Sequence, residues 1–449
     1  MSKITLGLSG AVGHDPAAAL FIDGELIAAI EEERLIRKKH AKGALPYNAA
    51  IECMKIAGVR GSDVDHIAIP YAPTSFFSRA RWHYAYRHWY APDRTIDSIF
   101  NGNRRYKRYL KELFNLAEQL QISEGEKKII SVQHQLSHAS SCYHLNGSDE
   151  KTAIFCVDSK GEYSNIFLGY GENGKIVKIK EFFNPDSLCG MYAALTDYLG
   201  FETLDGEFKV MGVSSFGDPK KYDFSSLAYF DGTDFRVNTK LISTVGFRRY
   251  KAKSKGYYFS KKLVEMLGPR RIGNLFEDPF VHYAAAIQKL YEDISVALVK
   301  HYLGDILKET GRLAVSGTGS MNILLNQRLS SIPEVDNYIV NPTCSDAGAA
   351  IGAASYALRG RGFGIKPLKN VYLGPAYNTD QCINACLRHP EKPCWEIIPA
   401  PHKRAAELLA NGQPVAWLRG RMEFGARSLG NRSIFASPNQ AGITDTINQ

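Results

Sequence analysis

Three observations predict an α/β fold assembled from two copies of one pattern. First, residues 4 to 31 carry three strand-like runs, Ile4–Ser9, Ala17–Ile22 and 26–30, the last two joined at the turn pair Asp23-Gly24. Second, the same order of strand, turn, strand, hairpin and strand returns at 152 to 183. There Thr152–Val157 leads into the turn Asp158-Ser159-Lys160-Gly161-Glu162, then a strand over 165–170, the Asn173-Gly174 pair and a strand over 176–183. Third, each copy opens a longer segment that mixes helical periodicity with short apolar runs. Repetition at this scale reads as an internally duplicated domain.

Between the first two strands lies Ser9-Gly10-Ala11-Val12-Gly13-His14-Asp15-Pro16, a small-residue loop that lets main chain approach a ligand closely. Glu31-Glu32-Glu33-Arg34 and Arg37-Lys38-Lys39-His40 follow, then a helical stretch over 47–57 and a strand over 65–70. Residues 71 to 115 interleave aromatic and basic side chains, as in Arg81-Trp82-His83-Tyr84 and Arg104-Arg105-Tyr106-Lys107-Arg108-Tyr109. Such residues cover a core with their basic tips in water, or line the wall of an acceptor pocket, or stack on bases. An apolar run at 129–132 then enters His134-Gln135-Leu136-Ser137-His138, with no helix breaker up to Tyr143. The spacing puts His134 and His138 one turn apart on one helical face. Two imidazoles so placed suit a divalent transition metal that takes one or two oxygens from elsewhere. A core histidine beside a solvent-facing one would read the same way.

After the second copy, a helix is expected from Ser187 to Leu199, followed by Gly206-Glu207-Phe208-Lys209-Val210-Met211-Gly212. Glycines bracketing Glu and Lys read as a loop that meets a phosphate or ribose, or as a tight turn with an exposed ion pair. A core helix spans 281–303. A strand at 313–315 ends in Ser316-Gly317-Thr318-Gly319-Ser320-Met321-Asn322 and a helix to Arg328. Strand, glycine-rich turn and helix N-terminus are suited to phosphate or adenosine, although this run matches neither a Walker A loop nor a dinucleotide fingerprint. Another strand, 338–340, leads to Asp346 at the start of a small-residue helix, where a carboxylate caps the helix or points at a metal. Composition shifts after residue 364, and Leu373-Gly374-Pro375 reads as the start of another domain. There a buried strand over 413–418 precedes residues 420–434, in which Arg421, Arg427 and Arg432 stand among glycines as a cradle for phosphate oxygens.

Composition bounds the classes. The 449 residues allow two or three domains, and 45% hydrophobic with 22% charged residues is ordinary for a soluble globular protein. No apolar run reaches the roughly 18–20 residues of a membrane span, and the N-terminus has no signal-peptide core. Eight cysteines are scattered without a CxxC pair, as expected of reduced cytosolic thiols rather than a disulfide framework or zinc ribbon. The net charge of +9 suits nucleic acid or phosphate-rich small substrates equally. The basic cluster at 251–255 reads as a solvated loop.

In pattern the duplicated segment resembles the ribonuclease-H-like fold of the actin, sugar-kinase and Hsp70 ATPases. In residues the chain resembles the O-carbamoyltransferase family of nodulation and antibiotic-tailoring enzymes. The matching stretches, in the family's order, are Gly13-His14-Asp15-Pro16-Ala17-Ala18-Ala19, Glu31-Glu32-Glu33-Arg34, residues 134–138, Asp158 with Gly161-Glu162, residues 206–212, Asp346-Ala347-Gly348 and residues 420–434. The resemblance implies an actin-like carbamoyl-transfer domain over 1–365, in halves of about 1–150 and 151–365, similar to the universal tRNA threonylcarbamoyl-transfer protein. It implies a second α/β module over 370–449, similar to threonylcarbamoyl-adenylate synthase. The C-terminal module would turn carbamoyl phosphate and ATP, with magnesium, into carbamoyl adenylate. The N-terminal domain would pass the carbamoyl group to a hydroxyl of a small natural-product or sugar-type acceptor.

By resemblance His134, His138, Asp158 and Asp346 would hold iron(II), with zinc or manganese as alternatives, and His14 would be the general base. Gly206, Lys209, Gly212, Gly317, Gly319 and Asn322 would hold nucleotide, and Arg421, Arg427 and Arg432 carbamoyl phosphate. The chain departs from the family's pattern just before His14, after Asp158, and at Ala426, where proline is usual. Family members also continue well beyond the arginine-rich motif, so an incomplete C-terminal module is expected. A cytoplasmic enzyme without nucleic-acid or membrane partners, compatible with a homodimer, is the expectation. The competing expectations are a tRNA threonylcarbamoyl-transfer-like enzyme and an actin-fold scaffold that has lost catalysis.

Overall fold

A computed structural model describes residues 3–10, 13–89, 92–242, 258–440 and 442–448. The 251–255 cluster, together with Ala11, Val12, Tyr90, Ala441 and Gln449, lies outside them. The first sheet contains β1 (Ile4–Ser9), β2 (Ala17–Ile22), β3 (Glu25–Glu31), β4 (His66–Ile69) and β5 (Ile129–Ser131), in the order β3-β2-β1-β4-β5. β1, β2 and β3 form an antiparallel meander, whereas β4 and β5 run parallel to β1. The second sheet contains β6 (Thr152–Val157), β7 (Ser164–Glu172) and β8 (Lys175–Phe183). A small hairpin of β9 (Ala228–Phe230) and β10 (Phe235–Val237) follows, and β11 (Arg312–Ser316) and β12 (Asn337–Val340) complete the second sheet. Its order, β12-β11-β6-β7-β8, is the first sheet's order again, with the same meander and the same two parallel strands. The architecture is thus α/β, the duplicated ribonuclease-H-like, actin-like fold.

Both meanders close on Asx-Gly turns. Asp23 (φ 48°) with Gly24 (φ 79°), and Asn173 (φ 50°) with Gly174 (φ 71°), adopt the left-handed conformation of a tight hairpin, which asparagine and aspartate tolerate and glycine adopts freely. The central strands β1, β2 and β6 are apolar on both faces and buried nearly throughout. The helix Phe280–Thr310, longer than the expected 281–303, covers the second sheet with Tyr283, Ile287, Tyr291, Leu298 and Leu303. Tyr109, Leu113 and Leu116 of the helix Arg104–Gln119 pack on the first sheet, so this part of the aromatic and basic insert covers a core. Phe77, Tyr86, Trp89 and Phe100 of the same insert stay exposed.

Two helices fill the space between the sheets. His134–Tyr143 and Ala349–Arg359 touch backbone to backbone, because a Cβ on Gly352 would lie 1.8 Å from the Ser137 carbonyl oxygen. Gly7 of β1 meets the other side of the second helix: a Cβ there would lie 2.1 Å from the Ala350 carbonyl oxygen. The stripe Ala349, Ala350, Gly352, Ala353 is small because it is sandwiched. This contact sets the distance between the histidine helix and the residue just before its neighbour, Asp346.

Two expectations are corrected. Residues 206–212 form no loop: Gly206 is the N-cap of the helix Glu207–Ser214, whose Val210, Met211 and Val213 are buried. A Cβ on Gly212 would meet nothing within 4 Å, so glycine there is tolerated rather than required. The strand expected to be buried at 413–418 is β13 (Val415–Leu418), which pairs with β14 (Arg432–Phe435) and is half exposed, with Leu418 at 53%. The helices Thr379–Arg388 and Pro401–Ala410 before it bury none of their described side chains, whereas Phe424 is fully buried against the first sheet. Among the described residues no helix is long and apolar enough to cross a membrane.

Candidate active site

The carboxyl ends of all six parallel strands face one place. The chain leaving β5 starts the histidine helix after Gln133, and its first turn brings the two Nε2 atoms of His134 and His138 to 3.1 Å from each other. β6 delivers Asp158, whose Oδ2 lies 3.2 Å from His134 Nε2. β12 delivers Asp346, whose Oδ1 lies 3.7 Å from both imidazole Nε2 atoms. One donor atom from each of the four residues lies within 4.8 Å of every other. His138 and Asp158 are fully buried and His134 nearly so.

The surroundings select the tautomer. His134 Nδ1 donates to the Pro70 carbonyl at the end of β4 (3.3 Å), which turns Nε2 toward Asp158 and His138. The His134 amide donates to Glu162 (3.2 Å), which also accepts from the Ala72 amide (2.8 Å). Thr318, at the end of β11, donates its amide to Asp158 Oδ1 (3.3 Å) and its hydroxyl to Asp346 Oδ1 (3.1 Å). Two imidazole nitrogens at 3.1 Å cannot both present bare lone pairs; a proton or a cation must lie between them and the carboxylates. Burial opposes charge on His134, but hydrogen bonds and charge from Asp158 and Asp346 outweigh it and raise its pKa well above 6.5. Asp346 is held well below the usual carboxylate range, although burial pushes it upward, because its two histidines and His14 face it. Two neutral-capable nitrogens and two carboxylate oxygens, buried and convergent, fit a first-row divalent metal.

His14 stands at the edge of this set. Its Nε2 lies 3.9 Å from Asp346 Oδ2, and its Nδ1 lies 2.7 Å from Asp15 Oδ2. Burial works against its charged form, yet the Asp15 hydrogen bond and the charges of Asp346, Asp15 and Asp158 raise its pKa to about 9.

The other expected residues are dispersed. Gly317 (φ 88°) makes the turn after β11, where a Cβ would meet the Val157 carbonyl at 2.4 Å; a Cβ on Gly319 would meet the Tyr291 hydroxyl at 2.4 Å. These glycines bring Thr318 onto the two carboxylates. Asn322 caps the helix Ile323–Ser330 by accepting from the Leu325 amide (2.9 Å) and exchanges hydrogen bonds with Gln288. Lys209 Nζ lies over the Phe201 ring at 5.5 Å, and Gly206 and Gly212 flank it on the helix Glu207–Ser214. The three arginines diverge. Arg421 donates to the carbonyls of Gly374 (3.0 Å) and Ile27 (2.9 Å), and Arg432 to those of Arg419 (2.7 Å) and Pro375 (3.1 Å). Arg427 stacks on Phe208 at 3.7 Å. Thr318, Glu162, His40 and Asp205 were not singled out in the sequence as site residues. The hydroxyl inside the glycine-rich run signalled Thr318, and the family-matching Gly161-Glu162 pair signalled Glu162.

Comparison with known proteins identifies the family. Residues 4–355 match the carbamoyltransferase N-terminus family model and residues 406–449 the carbamoyltransferase C-terminus model. The nodulation protein NolNO of Sinorhizobium fredii is 32% identical over 461 aligned residues, covering 100% of this chain and 62% of that protein. The nodulation protein NolO of Bradyrhizobium diazoefficiens is 30% identical, over 71% of this chain and 55% of that protein. The 3'-hydroxymethylcephem-O-carbamoyltransferase of Streptomyces clavuligerus is 29% identical, over 38% of this chain and 33% of that protein. This chain therefore spans less than two thirds of the length of either nodulation protein. Among solved structures, component A of the Acidaminococcus fermentans (R)-2-hydroxyglutaryl-CoA dehydratase aligns over 80% of this chain and 99% of its own, at 12% identity and a TM-score of 0.42. With the N-terminal model matched from Ile4 to Ser355, the chain belongs to the carbamoyltransferase family.

Proposed function

We propose that this chain transfers a carbamoyl group from carbamoyl adenylate, formed from carbamoyl phosphate and ATP, to a hydroxyl of a small sugar-type or natural-product acceptor. The observation that carries this reading is the juxtaposition of His14 Nε2, 3.9 Å from Asp346 Oδ2, with a buried four-residue donor set. His134, His138, Asp158 and Asp346 would hold a divalent metal, iron(II) by family resemblance, which when bound supplies positive charge to a carbamoyl or phosphate oxygen. Asp15 accepts the His14 Nδ1 proton, so His14 Nε2 is the nitrogen available to an acceptor hydroxyl. As the hydroxyl oxygen bonds to the carbamoyl carbon, its proton goes to His14 Nε2 and the bond from that carbon to the adenylate phosphate oxygen breaks, releasing AMP. Asp346 and Asp158 help keep His14 protonated, so neutralising these carboxylates would free the base. Of the glycine-rich run, the turn at Gly317 and Gly319, next to Thr318 and Asp158, would meet the adenylate.

The test is AMP release from synthetic carbamoyl adenylate by the iron(II)-loaded chain under anaerobic conditions, with and without a panel of hydroxylated sugars. Release stimulated by at least one sugar, with the carbamoyl group recovered on it, is expected. Carbamoyl adenylate that is neither bound nor turned over would overturn the proposal.

A further inference from the structure

A row of charged groups begins at His14 and leads away from the donor set. Asp15 Oδ2 faces His14 Nδ1 at 2.7 Å, its other oxygen faces His40 Nδ1 at 2.8 Å, and His40 Nε2 lies 3.2 Å from Asp205 Oδ1. Asp205 also receives Lys39 Nζ at 2.6 Å. Imidazole, carboxylate, imidazole and carboxylate thus alternate, and both Asp15 oxygens are occupied. Residues 14, 15 and 40 lie on loops of the first sheet. Asp205 precedes the helix Glu207–Ser214, whose neighbours are the helices Leu188–Tyr198 and Phe280–Thr310 of the second. The row therefore crosses from one half of the duplication to the other.

The backbone is bent to make this link. Asp15 and His40 both adopt left-handed conformations, with φ of 55° and 58°, which aspartate and histidine take more readily than most side-chain-bearing residues. Neither residue lies in a hairpin turn that would demand it. Main-chain hydrogen bonds join the two loops, from the Asp15 amide to the His40 carbonyl (2.9 Å) and from the Gly43 amide to the Gly13 carbonyl (3.2 Å). Glu33 accepts the His40 amide at 2.6 Å. These contacts hold the Asp15 and His40 side chains against each other. A carboxylate bridging two ring nitrogens cannot rotate without losing one of them, so His40 fixes the Asp15 oxygen that orients His14. His40 is itself fixed by Asp205.

We propose that His40 is a positioning residue: by donating through both ring nitrogens, to Asp15 and to Asp205, it couples the docking of the segment at 205–214 to the tautomer and aim of His14. The role of His14 as a base rests on the carbamoyl-transfer reading; the coupling itself does not. Asp205 is the informative place to break the row, because it is part-exposed and is not one of the four donor residues.

The test uses the full chain, metal-free and selectively labelled with 15N-histidine, with ring resonances assigned through His14→Gln and His40→Gln. Asp205→Asn is expected to shift the His14 ring nitrogens as well as those of His40, while the melting temperature changes little; Asp205→Glu is expected to restore the signals in part. In the iron(II)-loaded AMP-release assay, Asp205→Asn and His40→Gln should lower kcat by about 10- to 100-fold with KM for carbamoyl adenylate within about twofold. Asp205→Asn that moves His40 alone and leaves His14 and kcat unchanged would overturn the proposal. If the wild-type chain releases no AMP, the carbamoyl-transfer reading fails, and the His14 shift still decides the coupling. Should His40→Gln fold poorly, Asp205→Asn alone decides it.

Discussion

The two sheets share one backbone plan and carry different chemistry. In the first, the loop after β1 supplies His14 and Asp15, β4 ends at the Pro70 carbonyl, and β5 leads to His134 and His138. In the second, the corresponding ends supply Asp158, Thr318 and Asp346. One half gives the imidazoles and the other the carboxylates of the donor set, and among the described residues neither half alone supplies all four. Duplication explains the geometry: equivalent strand ends in two related sheets converge, and ligands gather at the carboxyl ends of parallel strands. Sequence divergence at equivalent junctions supplies the asymmetry that chemistry needs.

That comparison can be broken at graded cost. His14→Gln removes the proposed base and leaves the donor set, so sugar-stimulated AMP release should fall by about 100- to 10,000-fold while bound iron(II), measured by chelator titration, is unchanged. Gly352→Ala attacks the contact that brings the halves together. Its Cβ would fall 1.8 Å from the Ser137 carbonyl oxygen, so unfolding free energy from urea titration should drop by about 1–3 kcal/mol and metal affinity should weaken with it. Gly360→Ala, whose Cβ would have its nearest neighbour at 3.4 Å, is the control and should change neither. Asn322→Ala removes a helix cap in the second half, at about 1 kcal/mol of stability. Unchanged ADP affinity in that variant would mean capping is its whole role, whereas weakened binding would place nucleotide there.

The metal-free chain should also show the charge pattern in its pH dependence. His14 is raised from 6.5 to about 9, so its contribution is complete below pH 6.5 and is lost as pH rises through about 9. Asp15 is lowered from 3.8, so its contribution is present above that value and is lost as pH falls through its lower folded value. Melting temperature should therefore hold between about pH 4 and 6.5 and decline toward pH 9, and His14→Gln should flatten the alkaline decline.

The sequence made the duplicated fold legible because each meander is local: short apolar strands closed by Asp23-Gly24 and Asn173-Gly174 leave few other choices. The four donor residues were legible as candidates for different reasons: His134 and His138 stand one helical turn apart, Asp158 directly follows β6, Asp346 opens a small-residue helix, and the family resemblance joined them into one set. Residues whose partners are distant in sequence were not. His40 meets Asp205 across 165 positions, and nothing near either residue signals the other. The helix Glu207–Ser214 was misread as a loop because its bracketing glycines outweighed a burial pattern that only tertiary packing reveals. Arg421 and Arg432 read as phosphate ligands because guanidinium chemistry suits phosphate; in the structure they donate to main-chain carbonyls, contacts that guanidinium chemistry suits equally.

The union of the two halves in one metal site is tested most directly by counting metal. After anaerobic equilibration with iron(II) and removal of the excess, wild type should retain one ion per chain. His138→Ala, which alters the first half, and Asp346→Asn, which alters the second, should each retain none, with melting temperatures showing that both variants are folded. A wild type that retains no iron, zinc or manganese, or folded variants that retain it undiminished, would contradict a site shared between the two sheets.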